Sequence, residues 1–240
     1  MFKKILGVKI YNYTFNHVVD LVDGAMKTDN YRYIATVNSE FVNEATRNSD
    51  FKKAINNAWI SVCDAVGVKW AMMYLHGIKI ERIPGVDLTW ALLKLAEDRG
   101  YTVFLLGGEP DTICETVAKN IKVVHPNIKI VGSCALGPKD PETINEVNRL
   151  KPDILFVAYG SPKQEIFLHQ NRKKFDVKVA VGVGGTFDFI SGNVKRAPIW
   201  MRKIGLEWLY RLIRQPSRII RIFNATVMFP IKVICSKLKQ

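Results

Sequence analysis

The sequence predicts a doubly wound α/β fold: a Rossmann-like parallel sheet with helices on both faces, followed by a basic amphipathic C-terminal helical appendage. Three observations predict it. From about Tyr31, short β-branched or aromatic runs alternate with segments of helical period. Each run is almost continuously apolar, as strands buried on both faces must be. The composition shifts once, near Lys195, beyond which acids almost disappear.

Taken in order, the first thirty residues read as a small strand and helix ahead of the sheet. YRYIATV (31–37) leads into a helix from about Ser39, and WISVC (59–63) into one from about Ala65. YTVFLLG (101–107) precedes a helix from about Asp111, NIKIVGS (127–133) one from about Pro141, and DILFVAY (153–159) one from about Pro162. VKVAVGV (177–183) closes the series. No repeat, low-complexity tract or Pro/Gly/Ser linker interrupts it, so the expected division is a core over 1–194 and an appendage over 195–240.

A chain of 240 residues, 48% of them hydrophobic, can bury one good core, and its composition is neither disordered nor fibrous. The net charge of +13 is unevenly placed: from Lys195 onward eleven basic residues face a single acid, Glu207. A polyanionic partner therefore meets the C-terminal end, and phosphate-bearing lipid and nucleic acid are both candidates. The four cysteines are far apart, without a CxxC pair, which fits a reducing cytosol. The N-terminus lacks the apolar run of a signal peptide. The most apolar tail segment, Ile219 to Cys235, is interrupted by Arg221, Asn224, Pro230 and Lys232 and is expected to fall short of the ~20 apolar residues of a spanning helix. It is expected to lie on a membrane rather than cross it.

In open parallel sheets, ligands sit outside the carboxyl ends of the strands. Those positions hold Asn38, Ser39 and Glu40; Asp64; Gly107 and Gly108; Gly160 to Gln164; and Gly184, Gly185 and Asp188. Gly107 and Gly108 could bring bare backbone N–H groups to a diphosphate, or could form an ordinary tight turn capped by Asp111. No GxGxxG or GxxxxGK[ST] occurs, which argues against a dinucleotide site and a P-loop. Asp64 could be a partly desolvated general base or the N-cap of the next helix. Thr36, Asn38 and Gln164 suit sugar hydroxyls; Asn38 and Ser39 serve equally as helix caps. There is no DxD, and His17, His76, His125 and His169 form no ligand cluster, so no metal and no cofactor is indicated. A departing diphosphate would then be met by backbone dipoles, arginines or lysines.

In the tail, Arg211, Arg214, Arg218 and Arg221 are spaced to share a helical face, with Leu209, Leu212, Ile213, Ile219, Ile220 and Phe223 supplying an apolar side. Pro216 is expected to break or restart the helix. Such a segment reads as interfacial; the alternative is a solvated charged face on a helix packed against the core, which would normally carry acids as well.

Together, TVNSE (36–40), CDAVGV (63–68), RIPGVD (82–87), LLGGEPD (105–111), VAYGSPKQE (157–165) and VGVGGTFDFISGNVKRAPIWMRKIGLEWLYRLIRQPSR (181–218) resemble the WecG/TagA/CpsF family of bacterial glycosyltransferases, in order and over nearly the whole chain. The resemblance implies an inverting, metal-independent transferase that moves an N-acetylhexosamine from a UDP-sugar donor to a polyprenyl-diphosphate-linked GlcNAc acceptor. It would work from the cytoplasm, peripherally, on the inner face of the membrane. For the TagA branch the sugar is N-acetylmannosamine and the product is the linkage unit of wall teichoic acid; other branches imply another UDP-sugar, such as the uronic acid or a hexose, for capsule or common-antigen polysaccharide. Carried over by motif, Asp64 is the catalytic base, with Thr36, Asn38, Arg82 and Gln164 around sugar and acceptor. Gly107, Gly108 and Asp188 hold the uridine diphosphate, and Arg211, Arg218 and Arg221 close the site over diphosphate charge. The implied partners are the two substrates and an anionic membrane, not nucleic acid; a homo-oligomer is left open. Two rivals use the same features: a nucleic-acid-binding module would use the arginine tail, and a dehydrogenase would fit the sheet without its fingerprint.

Overall fold

The computed structural model describes residues 1–108 and 110–238; Glu109, Lys239, Gln240 and the side chain of Asp111, the expected turn cap, lie outside the described residues. The chain opens with a hairpin of β1 (Phe2–Ile5) and β2 (Val8–Tyr11) and then α1 (Phe15–Ala25). A strand pair thus stands where one strand was expected. Leu6 and Gly7 both take positive φ, 48° and 85°, the two-residue turn whose twist suits a hairpin.

The sheet follows as β3 (Arg32–Val37), β4 (Ile60–Cys63), β5 (Thr102–Gly107), β6 (Lys129–Cys134), β7 (Ile154–Ala158) and β8 (Val179–Gly182). These six strands are parallel, in spatial order β4-β3-β8-β7-β5-β6. The expected doubly wound fold is present. Alternate residues of β3 enter opposite cores: Tyr33, Ala35 and Val37 pack with Phe41, Phe104 and Leu155, while Ile34 packs with Ile60, Leu92 and Val181. That alternation is the two-faced burial that the continuous apolar runs required.

Six helices form the crossovers up to β7: α2 (Ser39–Ala45), α3 (Ser49–Asn56), α4 (Val66–His76), α5 (Gly85–Arg99), α6 (Asp111–Val124) and α7 (Glu142–Leu150). α8 (Lys163–Gln170) then connects β7 to β8, and α9 (Thr186–Ser191) follows β8. Two crossovers carry a second helix, α3 and α5, beyond the single helix expected after each run. Because β4, β3, β8 and β7 are consecutive neighbours, their carboxyl ends bring four connecting loops to one edge of the sheet.

The appendage continues as α10 (Ile199–Lys203), α11 (Glu207–Arg214), a single 3-10 turn (Pro216–Arg218), α12 (Ile219–Phe223), a π-type turn (Asn224–Met228) and α13 (Phe229–Lys237). Helix α11 stops at Gln215, as Pro216 predicted, so Arg211 and Arg214 do not share one unbroken helical face with Arg218 and Arg221. From Pro216 to Lys237 the helix then runs for 22 residues, long and apolar enough to cross a membrane by length and composition. This corrects the expectation that the segment falls short. Pro230 lies in the first turn of α13, where its missing N–H costs little, and the π-type turn carries the chain into it. One face of this helix is tied to the core: Phe229 and Val233 are fully buried among residues of α2 and α4. Asn43 also donates from Nδ2 to the Asn224 carbonyl at 2.6 Å.

Candidate active site

Asp64 directly follows β4, and its backbone N–H bonds the Val37 carbonyl at 2.9 Å, fixing it beside the end of β3. It does not cap α4; the N-cap residue is Ala65, without a side-chain bond. Instead Asp64 Oδ1 accepts the Gly85 N–H at 3.1 Å. The loop before α5 is held close by Ile83 N–H donating to the Cys63 carbonyl at 2.6 Å. Burial pushes the Asp64 carboxyl up to about 6, and Glu207 acts in the same direction; the Gly85 N–H, Arg211 and Arg82 oppose it. A carboxylate with that value is free to take a proton near neutral pH.

Thr36 is buried one strand over, with Oγ1 at 3.5 Å from the Gly182 carbonyl of β8. Gly85 packs against it: a Cβ there would lie 3.2 Å from Thr36 Oγ1. Gln164 is buried in the first turn of α8, beyond β7, and its Oε1 accepts both Gly160 N–H (3.1 Å) and Gly184 N–H (2.9 Å). It staples the β7 and β8 loops together. Its Nε2 donates to Glu165 Oε1 at 2.6 Å. Glu165 is fully buried, its Oε2 has no hydrogen-bond partner, and loss of solvent pushes its carboxyl up to about 7. A Cβ on Gly182 would stand 2.7 Å from Gln164 Nε2, so a glycine is needed for the pair to close. Asp64, Gly85, Thr36, Gly182, Gln164 and Glu165 are thus one contiguous chain of contacts.

Asn38 serves as the N-cap of α2, its Oδ1 accepting Phe41 N–H at 3.0 Å, while Ser39 begins that helix. Gly107 and Gly108 both take positive φ, 96° and 85°, which disfavours any side chain. The second of them approaches α9: a Cβ on Gly108 would be 3.2 Å from Phe187, next to Asp188. The glycine turn therefore adjoins α9, the helix that carries Asp188.

The appendage comes to the same edge. Arg211 lies over the Phe189 ring at 4.8 Å, and Arg82 Nη2 donates to the Arg202 carbonyl at 3.2 Å. Arg218 is held below the usual arginine range by burial and then by the nearby Arg211 and Arg221, with Glu40 and Asp188 opposing. Three guanidinium groups thus converge despite the break at Gln215. Arg221 is itself paired, Nη2 to Glu40 Oε2 at 2.7 Å, whereas Arg214 turns to Tyr210. Among the described residues, no three His, Cys, Asp or Glu side chains form a metal-binding group. A surface cleft of about 340 Å³ at the amino-terminal end of the sheet, lined by Tyr31, Arg32, Trp59 and Arg172, contains none of these residues.

Sequence reasoning gave no site role to Gly85, Asp87 or Glu165, and noted Glu207 only as the one acid of the tail. Asp87 pairs with Arg196 and lies 3.9 Å from Arg202, which clamps the start of the appendage to α5, while Glu207 Oε1, 3.6 Å from Arg196 Nε, ties that start to α11. Gly85 and Asp87 stand in the RIPGVD motif that supplied Arg82, and Glu165 ends the one that supplied Gln164.

The model of the Glycosyl transferase WecG/TagA/CpsF family matches residues 3–240. The chain is 36% identical over 214 residues to the N-acetylglucosaminyldiphosphoundecaprenol N-acetyl-beta-D-mannosaminyltransferase of Bacillus subtilis (strain 168), covering 89% of this chain and 80% of that protein. The Staphylococcus aureus (strain MRSA252) protein of the same name is 34% identical over 240 residues, with 98% and 94% covered.

Proposed function

The chain belongs to the WecG/TagA/CpsF family of glycosyl transferases, and we propose that it moves N-acetylmannosamine from UDP-ManNAc to undecaprenyl-diphosphate-linked GlcNAc, with inversion and without a metal, in wall teichoic acid linkage-unit synthesis. The relatives' shared name supports the substrates. The observation that carries the mechanism is the half-buried Asp64, raised to about 6 and surrounded by Gly85, Arg82 and Arg211.

In this reading an acceptor hydroxyl attacks the anomeric carbon from the side opposite UDP. The new C–O bond forms as the bond to the diphosphate oxygen breaks, the hydroxyl proton passes to Asp64, and UDP leaves with the bonding pair. Arg82, Arg211 and Arg218 offset the charge on the diphosphates, and Arg221 steadies the appendage through Glu40. Gly107, Gly108 and Asp188 cradle the uridine diphosphate. Thr36 and Asn38 border the sugar, and Gln164 fixes the loops around it. The core over 1–194 carries the chemistry, and 195–240 closes the site at the inner membrane face.

Incubation with UDP-ManNAc or UDP-GlcNAc and a lipid-diphosphate-GlcNAc acceptor tests this by UDP release. Release is expected with UDP-ManNAc and acceptor together; none with any pair defeats the reading. Asp64→Asn is expected to lose transfer while still binding UDP.

A further inference from the structure

We propose that the core helix α4 is itself a membrane contact, so that an anionic bilayer surface is bound by α4 and the appendage together and holds Asp64 at headgroup level. The proposal rests on the reading of the chain as a transferase acting on a lipid-linked acceptor.

Helix α4 is patterned the wrong way round for water. The side chains it exposes are Val66 (44%), Trp70 (37%) and Met73 (45%). Its polar residues are the more covered ones: Lys69 and His76 are half-buried, and His76 Nε2 bonds the Lys4 carbonyl at 2.9 Å. Positions 66, 70 and 73 fall at i, i+4 and i+7, so they form one stripe along a single helix face, roughly 10 Å long at 1.5 Å rise per residue. A helix facing solvent carries polar groups there.

The stripe is continuous with the appendage at both ends. A Cβ on Gly205, in the turn after α10, would lie 2.7 Å from Val66 Cγ2. At the other end Trp70 stacks on Tyr74 with ring centroids 5.2 Å apart. Tyr74 in turn carries Lys237 of α13, whose Nζ lies 4.3 Å from the ring and donates to the Tyr74 carbonyl. The adjoining segments expose Trp200, Ile204, Ile213 and Ile220.

Charge decides the occupant. From Lys195 onward the chain has eleven basic residues and one acid, and Glu207, that acid, faces Arg196. An apolar surface with tryptophans and a surplus of cations suits an anionic lipid interface rather than an ordinary protein surface. Asp64 stands two residues before the stripe begins. Seating α4 in the interface therefore places the base beside the layer in which the diphosphate of a lipid-linked acceptor lies.

The test uses the full chain, with Trp70→Glu/Met73→Glu compared with the parent. Flotation is measured on phosphatidylglycerol/phosphatidylethanolamine vesicles and on phosphatidylcholine vesicles. Turnover is measured with a short-chain, water-soluble lipid-diphosphate-GlcNAc and with the long-chain acceptor embedded in vesicles. The variant is expected to keep its melting temperature and its turnover of the soluble acceptor, and to lose at least tenfold in anionic-vesicle binding and in turnover of the embedded acceptor. Should the double variant fail to fold, a nitroxide on Met73→Cys in a Cys235→Ser background replaces it. On anionic vesicles that label is expected to become accessible to oxygen and shielded from a water-soluble nickel chelate; unchanged exposure to the chelate overturns the proposal. Flotation and embedded-acceptor turnover equal to the parent's also overturn it. So does a parent dimer that the double variant converts to monomer with vesicle binding unchanged, which would assign the face to a second copy of the chain. A parent that floats yet turns over neither acceptor refutes the proposed function while leaving the lipid-binding face supported.

Discussion

At the scale of single residues, the half-buried carboxyl proposed as the base and the fully buried Glu165 respond to pH in different ways. Asp64 must be ionised to accept a proton, and burial lifts it to about 6. The acid limb of the pH–rate profile is therefore expected near pH 6, with turnover rising as pH increases through it. Asp64→Glu, one methylene longer, is expected to lower turnover at every pH; a profile flat from pH 5 to 8 would remove Asp64 as the base. Glu165 keeps its proton to higher pH than an ordinary carboxyl, pushed up to about 7 by burial. A carboxyl whose value is raised on folding binds its proton more tightly in the folded state. Its contribution is fully present below the unfolded value and is lost as pH rises toward 7. From the ordinary carboxyl value of 4.5 to about 7 the cost is roughly 3 kcal/mol at alkaline pH. Glu165→Gln keeps an acceptor for Gln164 and removes that charge, so denaturant melts should show it gaining on the parent between pH 5 and pH 8. Equal pH slopes for the two proteins would show that Glu165 is not the buried neutral acid. Gln164 itself was legible from its place at a strand end, but its orientation was not. Its two backbone donors, Gly160 and Gly184, are brought together only when β7 and β8 pair.

At the scale of elements, the strands were readable because a parallel sheet buried on both faces leaves near-continuous apolar runs. The expected series begins at β3 and ends at β8, and each of its six runs contains a strand of the sheet. What attaches the appendage was not readable, because its determinants are distant pairs of ordinary charges. Asp87 lies 109 residues from Arg196, and Glu40 lies 181 from Arg221. No periodicity spans such gaps. The tail showed the same limit in Pro230, which reads as an interruption in one dimension yet falls within a helix that the structure carries through to Lys237. Asp87→Ala is expected to loosen the start of the appendage. It leaves Arg202, whose buried Nε has no hydrogen-bond partner, without its carboxylate and leaves Arg196 with Glu207 alone, at a cost of roughly 1–3 kcal/mol. Limited proteolysis should then cut between Lys195 and Gly205 faster than in the parent. An unchanged cleavage pattern would show that α10 and α11 are held by other contacts.

At the scale of the whole molecule, the question is whether the appendage is only an anchor or part of the catalyst. A chain ending before Lys195 keeps every strand of the sheet and, apart from Phe229 and Val233, both sides of its core, so its far-ultraviolet circular dichroism should remain that of an α/β protein. It loses Arg211 and Arg218, and its net charge falls from +13 to +3. Transfer should therefore be lost even from a water-soluble acceptor, for which anchoring is irrelevant, and salt-sensitive binding to anionic vesicles should fall with it. Removing a segment that exposes Trp200, Ile204, Ile213 and Ile220 would by itself favour a more soluble core. Phe229 and Val233 change that expectation, because both are fully buried against α2 and α4 and their removal opens apolar surface there. The truncated core should bind an apolar dye that the full chain does not. Normal turnover of the soluble acceptor by the truncated chain would reduce the appendage to an anchor and confine the catalytic machinery to Asp64 and the strand-end loops. Loss of turnover on that acceptor, in a core whose sheet is intact, would place Arg211 and Arg218 within the catalytic machinery.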